Sequence, residues 1–288
     1  MKNKLLRIYD KQYKKLLAFS ILLLITSLFI IGFQWITKGE IVEKGVKLKG
    51  GLTITLPATD VSITALQDHL SASFPDADIT ARGLTESGSI TSIIIESSDN
   101  RPDDIIESVR DFGISVEEGS YNTDFIDSTL GESFYRQTII AVAIAFILMA
   151  AVVYFTFRQL LPSTFVMLAA FSNIVSTLAT ISLLDVRLST AGIAAFLMLI
   201  GYSVDTDILL TTRAIKSKEG TPFERISGAL KTGLLMSGTS LGAVLVAYIF
   251  TQSDTIKQIM LILAIGLVFD IIYTWFQNAG ILRMSLEK

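Results

Sequence analysis

Six apolar stretches divide the chain. The first runs from Leu16 to Ile36, behind a tail that carries Lys2, Lys4, Arg7, Lys11, Lys14 and Lys15. At about 1.5 Å per residue it is long enough to cross a bilayer. It is too long for a signal-peptide core and no small-residue cleavage pattern follows it, so it reads as a retained first span. Five more stretches come later: Gln137 to Phe157, Leu161 to Leu184, Ser189 to Thr212, Gly233 to Phe250 and Ile259 to Leu282. Each is near the ~20 residues a spanning helix needs.

Between the first and second stretches, residues 37–136 are mixed and polar, with Pro57, Pro75 and Pro102 as punctuation. The period changes here from helical to alternating. Leu52, Ile54 and Leu56 alternate with Thr53 and Thr55, which predicts a strand; Asp60 is placed to cap a helix with Ile63, Leu66, Leu70 and Phe74 on one face. Ala77, Ile79 and Ala81, then Ile93 and Ile95, predict two further strands. A second helix begins near Pro102 with Ile105, Ile106, Val109 and Phe112 inward, and Ile114 with Val116 begins a last strand. The order strand, helix, strand, strand, helix, strand is that of a ferredoxin-like α+β domain. The expected architecture is therefore an all-α polytopic bundle of six spans with that domain inserted after the first: a tail at 1–15, a span at 16–36, the domain at 37–136, five spans within 137–282 and a tail at 283–288.

Orientation follows from Lys and Arg in the short loops. The N-terminal tail and the loop with Arg213, Lys216, Lys218, Arg225 and Lys231 are basic, whereas the short loops on the other side hold only Arg187 and Lys257. Both termini are expected in the cytoplasm, and the inserted domain outside it.

Composition agrees with this division. The chain is 51% hydrophobic and 18% charged, with a mean hydropathy of +0.56, well beyond an ordinary soluble domain. A net charge of −3, with no basic run interleaved with aromatics, argues against a nucleic-acid partner. The absence of cysteine removes thiolate catalysis, Cys-ligated zinc and iron–sulfur clusters. The lone His69, beside Asp68, reads as a solvated surface histidine. No metal, cofactor or catalytic residue is expected, and lipid is the surrounding medium.

Carboxylates inside spans are costly, about 2.5 to 3.5 kcal/mol at a helix centre, which makes Asp205, Asp207 and Asp270 the candidates for ion or proton coupling. Residues two apart on a helix differ by about 200° in direction, so Asp205 and Asp207 cannot meet one partner. Asp205 shares a face with Met198 and Gly201, where glycine permits close helix approach; Asp207 shares one with Ile200, Ser203 and Thr211. Asp205 is expected to be the buried acid, where desolvation disfavours charge and a proton can be loaded and released. The fifth span supplies a polar seam of Ser237, Thr239 and Ser240, with Gly238 and Gly242 at the spacing for close packing.

The run from Ala191 to Arg213, AGIAAFLMLIGYSVDTDILLTTR, resembles the fourth span of the SecF family, whose usual pattern is Ile-Gly-Tyr-Ser-Ile-Asn-Asp-Thr leading to an arginine. Gly50 and Gly51 resemble the family's glycine pair at the first extracytoplasmic strand, and Leu130-Gly131 the approach to the second span. The order of spans is similar too. The family's Asn-Asp-Thr is Asp205-Thr206-Asp207 here, with Asp205 where the sister subunit SecD has its own membrane aspartate. Ser172 and Asn173 replace a His-Asp pair common in bacterial members, and the pattern resembles the archaeal branch.

The resemblance implies a subunit of the cell membrane that forms a heterodimer with a SecD-like chain. It also implies assistance to an unfolded polypeptide crossing the Sec translocon channel, with proton flow as one drive. SecD and SecF resemble RND exporters, so half of an ion-driven exporter is the alternative. An intramembrane aspartyl protease built on Asp205 and Asp270 is a third reading, but Gly201-Tyr202-Ser203-Val204-Asp205 lacks the Gly-x-Gly-Asp context that chemistry uses.

Overall fold

A computed structural model describes residues 2–57, 61–86, 89–117, 119–217, 220–251 and 253–287. Asp60 and Lys218 lie outside the described residues. The elements run α1 (Lys2–Lys38), α2 (Val46–Lys49), β1 (Gly51–Pro57), α3 (Ile63–Ser73), β2 (Ile79–Glu86), β3 (Ser89–Ser97), α4 (Pro102–Asp111) and β4 (Asn122–Ile126). Then come α5 (Ser128–Phe157), α6 (Leu160–Leu183), α7 (Thr190–Lys216), α8 (Pro222–Phe250), α9 (Asp254–Ile272), a π-helical segment π1 (Tyr273–Asn278) and α10 (Ala279–Leu286). Among the described residues, six helical stretches are long and apolar enough to cross a membrane: Tyr9–Lys38, Ser128–Phe157, Leu160–Leu183, Thr190–Lys216, Pro222–Phe250 and Thr255–Leu286, the last uniting α9, π1 and α10.

The four strands form one antiparallel sheet in the order β2-β3-β1-β4. Alternation on β1 puts Leu52, Ile54 and Leu56 on the covered face, and Ile54 pairs with Ile95 of β3. Leu66 and Leu70 of α3 and Ile105, Ile106 and Val109 of α4 close the core over it. Ser62 caps α3, accepting from the Ala65 amide. Pro102 opens α4, with Asp103 and Asp104 in its first turn complementing the helix dipole. Ile114 and Val116 do not begin the last strand. They are buried in the sheet's core from an irregular segment, and β4 forms further on at Asn122–Ile126. His69 is half-buried rather than solvated, bridging α3 to α4 through the Ser108 carbonyl at 3.1 Å and packing on Phe112.

Three contacts fasten this sheet to the helical bundle. Gly50, at positive φ, sits against the start of α5, where a Cβ on it would fall 2.4 Å from Ser128 Cα and one on Gly131 2.6 Å from the Gly50 nitrogen, whereas Gly51, also at positive φ, packs against the Ser97 carbonyl of β3. Only glycine fits that junction. The segment after α1 is pinned by Gly45 N to Leu188 O (2.9 Å) and Leu188 N to Glu43 O (2.7 Å). Arg187, between α6 and α7, donates to Asp78 at 2.6 Å and to Thr80 at 3.2 Å.

Several spanning helices outrun their apolar stretches because polar caps prolong them. Asp127 accepts from the Thr129 amide to start α5, and Thr221 with Glu224 forms a capping box behind Pro222 to start α8. Within the bundle α6, α7 and α9 are central, while α1, α5 and α8 keep most of their surface outward. Leu199, Ile193 and Ile262 centre one apolar cluster, and Leu210, Trp275 and Leu282 another.

Candidate functional site

The polar residues of the bundle gather where α6, α7, α8 and π1 meet. Asp207 on α7 is fully buried and Asp270 on α9 is 1% exposed. Asn278 Nδ2 donates to Asp207 Oδ1 at 2.8 Å. Thr274, one turn on, donates to Asp270 Oδ1 at 3.5 Å. The hydroxyls of Ser203, Thr206 and Ser237 surround Asp270. Gln277 Nε2 donates to Ser172 Oγ on α6 at 3.1 Å, beside the equally buried Asn173. No salt bridge among the described residues reaches either acid.

The π segment assembles this cluster. Its wider turn lets Tyr273, Thr274, Trp275, Gln277 and Asn278 all be buried against different neighbours, as such segments do at functional sites. Tyr273 Oη shares a 2.5 Å hydrogen bond with Ser176 Oγ, which in turn meets Ser27 Oγ of α1 at 2.8 Å. The Trp275 carbonyl accepts from Tyr9 Oη at 2.6 Å, tying the segment to α1. Gly233 of α8 makes room for the Trp275 indole, since a Cβ there would lie 2.2 Å from Cζ2.

The expected site residues divide. Asp207 and Asp270 come together, and Ser237 joins them. Asp205, expected to be the buried acid, is exposed on the outside of α7. The 200° separation holds, but the inward face is that of Ile200, Ser203 and Thr211, all buried, whereas Met198 and Gly201 look outward. Thr239 is also exposed and donates to its own helix, to the Leu235 carbonyl, while Ser240 is only half-buried; neither extends a seam through the chain. Gly201, Gly238 and Gly242 have nothing within 4 Å of an added Cβ, and the close contacts lie instead at Gly192, Gly233 and Gly266. Thr274, Gln277 and Asn278 were missed by sequence reasoning. Asp270, Thr274 and Asn278 recur every four residues on one face of an apolar span, and that spacing was the available signal.

Comparison with known proteins decides the family. The family profile "Protein export membrane protein SecD/SecF, C-terminal" matches residues 105–288. The protein-export membrane protein SecF of Pyrococcus furiosus is 35% identical over 291 residues, covering 100% of this chain and 96% of that one. The chain belongs to the SecF family. SecF of Methanocaldococcus jannaschii is 37% identical over 286 residues, covering 96% of this chain and 97% of that protein. Among solved structures, SecDF, a translocon-associated membrane protein from Thermus thermophilus, matches with a TM-score of 0.73 at 18% identity over 97% of this chain. The match spans 38% of that longer chain, and at this identity it is a likeness of fold. This chain is thus a multi-pass membrane protein, with its buried acids on the fourth and sixth of the six apolar helical stretches.

Proposed function

We propose that this chain assists polypeptide export through the Sec channel as one half of a SecD–SecF heterodimer, and that ion movement through the Asp207–Asp270 site drives its cycle. The observation that carries the proposal is the unbalanced pair of buried carboxylates at the centre of the bundle. An uncompensated acid in hydrocarbon costs about 2.5 to 3.5 kcal/mol, a cost that two such acids without a basic partner retain only for a use.

The inserted domain is proposed to be ferredoxin-like and extracytoplasmic, supported by the strand order β2-β3-β1-β4 with α3 and α4 on one face. Its ties through Gly50, Gly131 and Arg187 give a route by which rearrangement around the acids moves the domain that meets the emerging chain. Basic residues in the N-terminal tail and in the α7–α8 loop support cytoplasmic termini. The outward face of Gly201 and Asp205 on α7, with Gly238 and Gly242 on α8, is suited to a second helical bundle, the SecD-like partner. The test is extraction from native membranes in mild detergent: a SecD-like chain is expected to co-purify. A stable, export-competent form of this chain recovered from membranes lacking SecD would contradict the proposal.

A further inference from the structure

We infer that the cleft between the end of α7 and the start of α8 binds a phosphate ester, the headgroup of an anionic membrane lipid. Neither export nor ion coupling is needed for this. The cleft has a volume of about 480 Å³ and is lined, among the described residues, by Arg213, Ser217, Gly220, Glu224, Arg225 and Gly228. That is room enough for a small polar ligand. Arg213 stands in the last turn of α7, and Arg225 follows the Thr221–Glu224 capping box that opens α8. Arg213 Nη1 donates to the Gly228 carbonyl at 2.9 Å, and Arg225 Nη1 to the carbonyls of Ala214 and Ser217 at 2.8 and 2.7 Å. Each guanidinium is therefore held in place by one nitrogen, and Arg225 Nε has no partner. Among the described residues neither arginine enters a salt bridge.

The charge and the surroundings select the ligand. Glu224 is the one acid among the described lining residues, and its Oε2 is engaged with the Thr221 amide at 2.8 Å. Two arginines against one acid leave the cleft positive, and exposed Lys216 and Lys231 on the same two helices add to that field. Guanidinium forks on separate helices suit an anion with several oxygens, which is the chemistry of a phosphate. No aromatic side chain is among the lining residues, so a nucleotide base would have nothing to stack on. Leu234 and Leu235, 41% and 67% exposed, begin a bare apolar surface two turns further along α8, about 10 Å from Gly228. A lipid uses both regions at once, the headgroup in the cleft and the acyl chains on the leucines, as basic pockets between spanning helices allow. Gly228 leaves the cleft open on one side, since nothing lies within 4 Å of its Cβ position.

The experiment titrates the full chain, purified in a neutral detergent, with phosphatidylglycerol, phosphatidylcholine or diacylglycerol at fixed ionic strength, and reads bound lipid by native mass spectrometry. Phosphatidylglycerol is expected to bind at least about fivefold more tightly than either neutral lipid, the factor that one basic residue is worth at an anionic membrane surface. Arg213→Gln and Arg225→Gln should each lose about fivefold of that affinity. Gly228→Leu, which keeps both charges and fills the cleft, should lose as much. Arg158→Gln, at the end of α5, should bind as wild type. Gly228→Leu keeps the inference testable if Arg225→Gln, which uncaps α7, fails to fold. Equal affinity for phosphatidylglycerol and phosphatidylcholine overturns it, as does affinity unchanged in all three cleft variants. Displacement of phosphatidylglycerol by inorganic phosphate, but not by chloride of the same ionic strength, would assign the cleft to a soluble phosphate and overturn the lipid.

Discussion

Gly131 at the start of α5 lies so close to Gly50 that a methyl group on it would fall 2.6 Å from the Gly50 nitrogen and 2.9 Å from the Lys49 carbonyl carbon. The neighbouring atoms are backbone, and they cannot swing aside as a side chain would. The sheet and the second span therefore share one rigid joint.

Gly131→Ala is expected to force that joint apart, at about 1–3 kcal/mol in stability, from overpacking. Gly242→Ala is the matched control, because nothing lies within 4 Å of its Cβ position. On the isolated chain it should be neutral or slightly stabilising through helix propensity. Thermal unfolding of the two purified variants measures the difference; equal midpoints would show that the joint is compliant.

Arg187 clamps the sheet to the bundle through Asp78, Thr80 and, at 3.7 Å, Glu43. The guanidinium is partly screened, so Arg187→Ala should cost about 1–2 kcal/mol, between an exposed and a buried pair. Hydrogen exchange at the start of β2 and in the segment after α1 should rise together. Unchanged exchange at both would place the clamp's energy elsewhere.

Asp127 caps α5, and its carboxyl is held below the ordinary carboxylate range first by the Thr129 side chain and then by the Thr129 and Leu130 amides. A depressed folded value means that the cap's contribution is present above the unfolded aspartate value of about 3.9 and is lost as pH falls through the folded one. Exchange of the Thr129 amide should therefore gain protection-losing behaviour only in strong acid. Asp127→Asn, itself a good cap, should remove that pH dependence.

Topology is open to a direct check. A reporter fused after Ser217 should read as cytoplasmic and one fused after Ser253 as external, as the lysine and arginine asymmetry implies. The opposite result at either point would reverse the proposed orientation.

Much of this was legible in the chain because two strong periodicities run through it. Twenty-residue apolar runs located the spanning helices, and the alternation of Leu52, Ile54 and Leu56 located the strand that pairs with both β3 and β4. What local pattern could not supply was depth and facing. Ile114 and Val116 alternate as a strand would, yet they fill the core from an irregular segment while the exposed β4 completes the sheet. Gly201 suggested a helix contact, but glycine only permits one, and the α7 face that packs inward is set by Leu199, clustered with Ile181 of α6 and Ile262 of α9, and by Leu210, clustered with Ile226 of α8 and Trp275 of π1. The 200° rule separated Asp205 from Asp207 without saying which was inside. The π segment was invisible for a related reason: its hydrogen-bond register follows from burial of Trp275 and Tyr273 against other helices rather than from local preference.

In the proposed cycle the acid at the α7–π1 contact carries the ion and the acid on the outer face does not. Export of a reporter protein in native membranes, at equal levels of assembled SecD–SecF, measures this most directly. Asp207→Asn keeps the shape and much of the hydrogen bonding with Asn278 but cannot carry the charge, and export should fall at least tenfold with the complex intact. Asp207→Glu should retain part of it. Export by Asp207→Asn equal to wild type, with the complex assembled, would contradict the account and leave Asp207 a packing residue.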